Sequence, residues 1–186
     1  TLTLTNDEDR AAKLVAEVKT RSQPNGQDEA LSDTDDLIVN PPIALVPAGK
    51  AQIFRVALRH PLPPGAERAY RLVVTDVTPA SLDSSEATQV AIRLSHLIPL
   101  FVTTTPGGRP SLTIGPCGAT SGEMLCARVG DVGQAHAQIL SVTFRGDGWS
   151  EVSRQRGALV AGGVLRFSVP RPALLKRGAH YSVTVA

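Results

Sequence analysis

The stretch Val90–Thr103, VAIRLSHLIPLFVT, limits what this chain can fold into more than any other part of its sequence. Side chains of a β-strand alternate between two faces, so Val90, Ile92, Leu94, His96, Ile98, Leu100 and Val102 share one side, and all but His96 are aliphatic. Ala91, Arg93, Ser95, Leu97, Pro99, Phe101 and Thr103 take the other side. Pro99 has no amide hydrogen to give to a ladder, which places the strand at a sheet edge or makes it irregular there. A long apolar edge is an aggregation hazard that proteins blunt with charge, and the apolar face carries none. Two accounts remain open: a strand buried in an ordinary sandwich, or an edge that something else covers, a partner chain being one candidate.

The rest of the chain is punctuated as an all-β protein requires, with 14 prolines and 16 glycines. No stretch sustains a helical period over three turns. Asp9–Lys19 comes nearest and is read as strand, because Leu14, Ala16 and Val18 alternate with Val15, Glu17 and Lys19. Strand-like runs recur at Thr1–Thr5, Ala12–Thr20, Asp36–Val39, Ala51–Leu58, Ala69–Val77 and Val90–Thr103, with turn-rich segments between them. That spacing predicts an immunoglobulin-like sandwich. Thr104–Pro110, rich in residues that stop strands, is the best domain boundary. Beyond it the pattern restarts at Ser111–Ile114, Met124–Val129, Ala135–Phe144, Leu159–Val160, Gly163–Val169 and His180–Val185. The expected architecture is therefore two immunoglobulin-like β-sandwich domains, residues 1–105 and a smaller one over 106–186.

Composition narrows the function classes. Hydrophobic residues make up 42% and mean hydropathy is +0.01, too apolar for disorder, and no apolar run reaches the length needed to span a bilayer. A soluble chain without membrane insertion is expected. Lysine and arginine total 19 against 17 acids, a net charge of +2, so no whole-chain field argues for nucleic acid. The acidic group Asp28, Glu29, Asp33, Asp35 and Asp36, and the basic group Arg154, Arg156, Arg166, Arg171, Lys176 and Arg177, read as solvated loops and exposed strand faces.

The four histidines (His60, His96, His136, His180) stand apart from any nucleophile pair or metal spacing, and no G-x-S-x-G, phosphate-binding loop or dinucleotide fingerprint is present. Asp33, Asp35 and Asp36 lack the remainder of a calcium loop. No catalytic residue, metal or cofactor is expected, and the chain is read as non-enzymatic. A carbohydrate-binding sandwich would want exposed aromatics, of which a chain with one Trp, two Tyr and four Phe has few. Cys117 and Cys126 do not have a metal-ligand spacing, and a short hairpin containing Gly118 and Gly122 would bring them together. A disulfide would imply an oxidising compartment, while two free buried thiols suit the sequence equally well. The chain opens inside an alternating strand, TLTLTN, which leaves room for a targeting segment removed before it.

Several blocks, in order and spacing, resemble the periplasmic chaperones of the chaperone–usher pilus pathway. They are Thr3-Leu4-Thr5-Asn6, Asn25-Gly26, Thr34-Asp35-Asp36-Leu37-Ile38-Val39 with Asn40-Pro41-Pro42, and Pro47-Ala48-Gly49-Lys50-Ala51-Gln52-Ile53-Phe54-Arg55-Val56. Glu67-Arg68-Ala69-Tyr70-Arg71-Leu72 and Ile92-Arg93-Leu94 through Ile98-Pro99-Leu100-Phe101-Val102 complete them. The T-x-D-L-I-V-x-P-P block and the P-L-F-V ending are most similar to the archaic branch, and Gly133–Leu140 resembles a stretch of the family's second domain. The resemblance implies two immunoglobulin-like domains in an L-shaped arrangement, with the last strand of the first lent to an incomplete pilin. It implies a pilus subunit and an outer-membrane usher as partners, a periplasmic location, and a self-capped oligomer as one form of the free chain.

Burying five aliphatic side chains of such a strand, at about 1.5–3 kcal/mol each, amounts to a gross gain on the order of 10 kcal/mol. His96 interrupts the face and is expected at the strand's periphery, with a pH-responsive release role as the sharper alternative. The family also anchors the subunit's C-terminal carboxylate with two basic residues. The first would lie ahead of Thr1, and the second falls near Thr105–Arg109, where no lysine stands. Arg109 is the nearest cation, with Arg93 and Arg71 as alternatives; each is equally readable as a solvated arginine, and Arg55 is expected to be structural. The competing reading is an immunoglobulin-like structural protein, pilus subunit or adhesin. A subunit would lack its own final strand and carry an N-terminal extension to lend.

Overall fold

Alternation decides the strands. In the computed structural model Leu14, Ala16 and Val18 are buried along one side of a strand over Ala12–Ser22, while Lys13 and Glu17 stand exposed on the other. The structure describes residues 1–24, 26, 29–79, 93–104, 106–117, 122–175 and 180–186. Among them every regular element is a strand. In chain order these are β1 (Leu2–Thr5), β2 (Ala12–Ser22), β3 (Ala30–Asp33), β4 (Leu37–Asn40), β5 (Ile43–Val46), β6 (Ala51–Leu58), β7 (Arg68–Asp76) and β8 (Ser95–Val102). Then follow β9 (Leu112–Pro116), β10 (Met124–Asp131), β11 (Ala137–Ile139), β12 (Val142–Gly146), β13 (Trp149–Ser153), β14 (Gly157–Leu159), β15 (Val164–Pro170) and β16 (Ser182–Val185).

The chain forms two compact units: one of Thr1–Thr20, Leu31–Pro63 and Tyr70–Leu100, the other of Arg21–Ala30, Pro64–Ala69 and Phe101–Ala186. The first holds a sheet ordered β1-β6-β4 and a second ordered β3-β2-β7-β8, with β5 also paired to β2. Phe54, Tyr70, Leu72, Val74 and Val46 are its most deeply buried side chains. The Tyr70 hydroxyl donates to Asp36 Oδ2 at 2.6 Å, which ties the polar end of the ring to the acidic segment.

Asn6, buried at the end of β1, donates from Nδ2 to the Arg10 and Val46 carbonyls at 2.8 and 2.9 Å, and its Oδ1 accepts the Glu8 amide at 3.2 Å. One side chain thus folds the β1–β2 turn onto β5. Asn6→Ala should cost about 2–3 kcal/mol, the loss of three net hydrogen bonds, read as a lower urea midpoint at unchanged slope. An unmoved midpoint would mean that water replaces all three.

The second unit contains sheets β15-β10-β9, β11-β14 and β13-β12-β16 around Val129, Val142, Phe144, Leu159 and Phe167. Two polar side chains from 21–30 are built into it. The Gln23 amide donates to the Ala158 carbonyl at 3.0 Å and accepts the Val160 N–H at 2.8 Å, in the manner of a neighbouring strand. Arg21 bonds the same carbonyl at 2.9 Å and pairs with Glu29 at 2.9 Å. Cys117 and Cys126 are joined, with Cα atoms 5.6 Å apart. Antiparallel pairing of β9 with β10 sets Pro116 opposite Ala127, and one further step of that register sets the two cysteines opposite each other.

Three strands go beyond the expectation: β3, β5 and β13. The run expected over Ala135–Phe144 is two strands, because the amides of Leu140 and Ser141 both turn to the Ala186 carbonyl (2.8 and 3.1 Å) where the chain leaves β14 for β13 and β16. In the acidic group Asp33, which bonds Lys19, and Asp35 are exposed as expected, while Glu29 and Asp36 are half-buried against Arg21 and Tyr70. Asp28, Lys176 and Arg177 lie outside the described residues.

Candidate functional site: an open strand edge

Strand β8 ends the order β3-β2-β7-β8, so among the described residues no strand pairs with its outer flank. The Asp76 amide donates to the Leu94 carbonyl at 3.0 Å and the Thr75 and Ser95 hydroxyls meet at 2.9 Å, numbers that run in opposite directions and make the pair antiparallel. By the two-residue alternation of such a pair, the backbone groups of Leu94, His96, Ile98 and Leu100 point to β7, and those of Ser95, Leu97, Pro99 and Phe101 point to the open flank. Pro99 therefore removes a donor from the open side only, which is why an edge tolerates it.

Ser95 shares the face of Thr75, opposite the buried Leu72 and Val74. His96, Ile98, Leu100 and Val102 therefore lie on the core-side face, yet the core does not fully cover them. Ile98, Leu100 and Val102 are half-buried, His96 is exposed, and Leu94, ahead of the strand, is 59% exposed. On the outer face Leu97 is 44% exposed. The remaining members of the expected row, Val90 and Ile92, lie outside the described residues.

Of the three candidate anchors, Arg93 is exposed just ahead of β8, and Arg71 is half-buried on β7 opposite Lys19. Both belong to the first unit. Arg109 belongs to the second, exposed, its carbonyl accepting the Gln134 amide at 2.9 Å. At the exit of β7 the Thr78 hydroxyl bonds Asp76 and holds its carboxyl below the ordinary value. The same hydroxyl accepts the Lys13 amide at 2.8 Å, so the exit is tied to β2.

The sequence reading missed one arrangement at the other end of β8. Glu67 Oε1 accepts both Nδ1 and the backbone amide of His136, at 2.6 and 3.0 Å, and its own amide donates to the Gln134 carbonyl at 2.8 Å. The Phe101 ring stacks on His136 with centroids 3.8 Å apart and planes 7° from parallel. Residues 69 positions apart carry no local signal of such a pairing. Gly133 was visible only as part of a motif: a Cβ there would lie 2.4 Å from the Arg109 carbonyl oxygen, so the segment 109–111 can pass only over glycine. Among the described residues no group of His, Cys, Asp or Glu is arranged to hold a metal ion, and no helix is long and apolar enough to cross a membrane.

Residues 1–106 match the family described as pili and flagellar-assembly chaperone, PapD N-terminal domain. No curated protein sequence matches the chain. Among solved structures the fold is similar to a chain of the CsuC–CsuE chaperone–tip adhesion subunit pre-assembly complex from archaic chaperone-usher Csu pili of Acinetobacter baumannii. There the TM-score is 0.64 at 19% identity, over 90% of this chain and 80% of that one. It is also similar to the E. coli chaperone DraB (TM-score 0.59, 16% identity, 99% and 85% covered). A chain of the Salmonella enterica SafA pilin–SafB chaperone complex gives 0.63 at 11% identity, with 90% and 75% covered.

Proposed function

The chain belongs to the pili and flagellar-assembly chaperone family, and on that premise we propose that it acts in the periplasm, binding an incomplete pilus subunit by lending it strand β8 and delivering it to an outer-membrane usher. The observation that carries this reading is the outer flank of β8, which no strand pairs with among the described residues, while Leu94, Ile98 and Leu100 remain only partly covered. A guest strand added at that flank gains main-chain hydrogen bonds, and its groove takes the alternate side chains. His96, exposed, interrupts the row with a polar ring.

Arg93, Arg71 and Arg109 are the candidates for the subunit's C-terminal carboxylate, which a guanidinium can bind bidentately. The disulfide suits an oxidising compartment.

The test is co-expression with a pilus subunit from the same organism, followed by recovery from periplasmic extract. The expected result is a soluble one-to-one complex in which the subunit stays monomeric. The competing reading, a pilus subunit or adhesin, requires the purified chain to polymerise through its own strand exchange. Growth of fibres from the chain alone would overturn the chaperone role.

A further inference from the structure

We propose that His136 is a positioning residue for the lending strand: fixed by Glu67, it grips Phe101 by ring stacking and pins the C-terminal end of β8, leaving the stretch ahead of it to adapt to a guest. Phe101 lies on the outer face of an edge strand, where a large aromatic side chain would ordinarily face water. It is instead half-buried against an imidazole whose plane it matches within 7°.

That imidazole is not free to turn away. Glu67, its side chain 7% exposed, bonds both the ring and the backbone of His136, and an acceptor carboxylate there requires the proton on Nδ1. The Glu67 amide bonds the Gln134 carbonyl in addition, so the segment entering β7 and residues 134–136 are joined at three points. Upstream, by contrast, Leu94, His96 and Leu97 are exposed, and the strand meets β7 there through the Leu94 carbonyl and the Ser95 hydroxyl. The two ends of the strand are therefore held unequally. The fixed end sets which residues face which way when a ladder partner arrives, because a slip of one residue would present the opposite face.

The clasp is a property of the free chain; only its use in presenting β8 rests on the proposed function. The test is amide hydrogen exchange of the free protein with His136→Ala. Exchange at Leu100 and Val102, whose amides point to β7, should quicken by roughly five- to tenfold, the worth of one lost aromatic stack, while Leu72 and Val74 in β7 stay unchanged. His136→Phe, which keeps a ring but not the Nδ1 that Glu67 holds, should restore only part of the protection at Leu100 and Val102, and full restoration would overturn the role given to Glu67. Equal exchange in wild type and His136→Ala would overturn the proposal, as would a rise of the same size throughout β7 and β8. If His136→Ala fails to fold, Phe101→Leu removes the stack from the strand side and is read by the same amides. Loss of the clasp with subunit recovery intact would leave the chaperone reading standing and remove only its positioning role.

Discussion

Changing Ile98 and Leu100 together to aspartate should abolish recovery of a pilus subunit while the purified chain keeps its circular dichroism spectrum and melts within a few degrees of wild type. Both side chains are half-buried in the free chain, so the fold loses only part of the transfer energy of each. In a complex they would be covered completely, and two aliphatic groups are worth about 3–6 kcal/mol, or roughly two to four orders of magnitude in affinity. A carboxylate forced into an apolar groove adds its own desolvation cost on top. A single Leu97→Asp change on the outer face is the control and should leave recovery largely intact. If the double variant still captures the subunit, lending of this strand is ruled out.

The second large effect belongs to the disulfide. Reducing Cys117–Cys126, or replacing both residues with serine, should lower the unfolding free energy by about 2–3 kcal/mol, the chain-entropy value for a cross-link closing so short a loop. The loss should be seen as a lower denaturant midpoint with a steeper dependence on denaturant, since the unlinked chain unfolds to a more exposed ensemble. Identical midpoints with and without reductant would show that the β9–β10 register holds the hairpin without its cross-link.

Wherever burial on one side imposes a period of two, the fold could be read ahead of the structure. Ala51–Leu58 is a strand at the expected ends, and Ala12–Thr20 is one despite its weak alternation, because Leu14, Ala16 and Val18 point into the core. The immunoglobulin-like class also follows, whereas the cysteine spacing allowed a cross-link without deciding it against two free thiols. What escaped has physical causes. β5 is four residues bracketed by prolines and apolar on both faces, with Leu45 70% exposed, so no alternation marks it. β3 lies among acids that look like a solvated loop until Lys19 is found 2.6 Å from Asp33.

For β8, Pro99 pointed to a sheet edge or an irregularity, and the sheet order puts the strand at an edge. The grip of His136 on Phe101 could not be read, because it depends on Glu67, far away in the chain, being folded against the same ring.

One consequence follows from how the polypeptide is threaded. The second body takes in Arg21–Ala30 and Pro64–Ala69 as well as everything from Phe101 onward. No single cut of the gene releases it whole: a fragment starting after residue 105 would leave behind the Gln23 amide that occupies the Ala158 and Val160 backbone, and the carboxylate that orients His136. Shuffling by recombination, as between modular proteins, would have to exchange both bodies at once, so the two halves are bound to be inherited together.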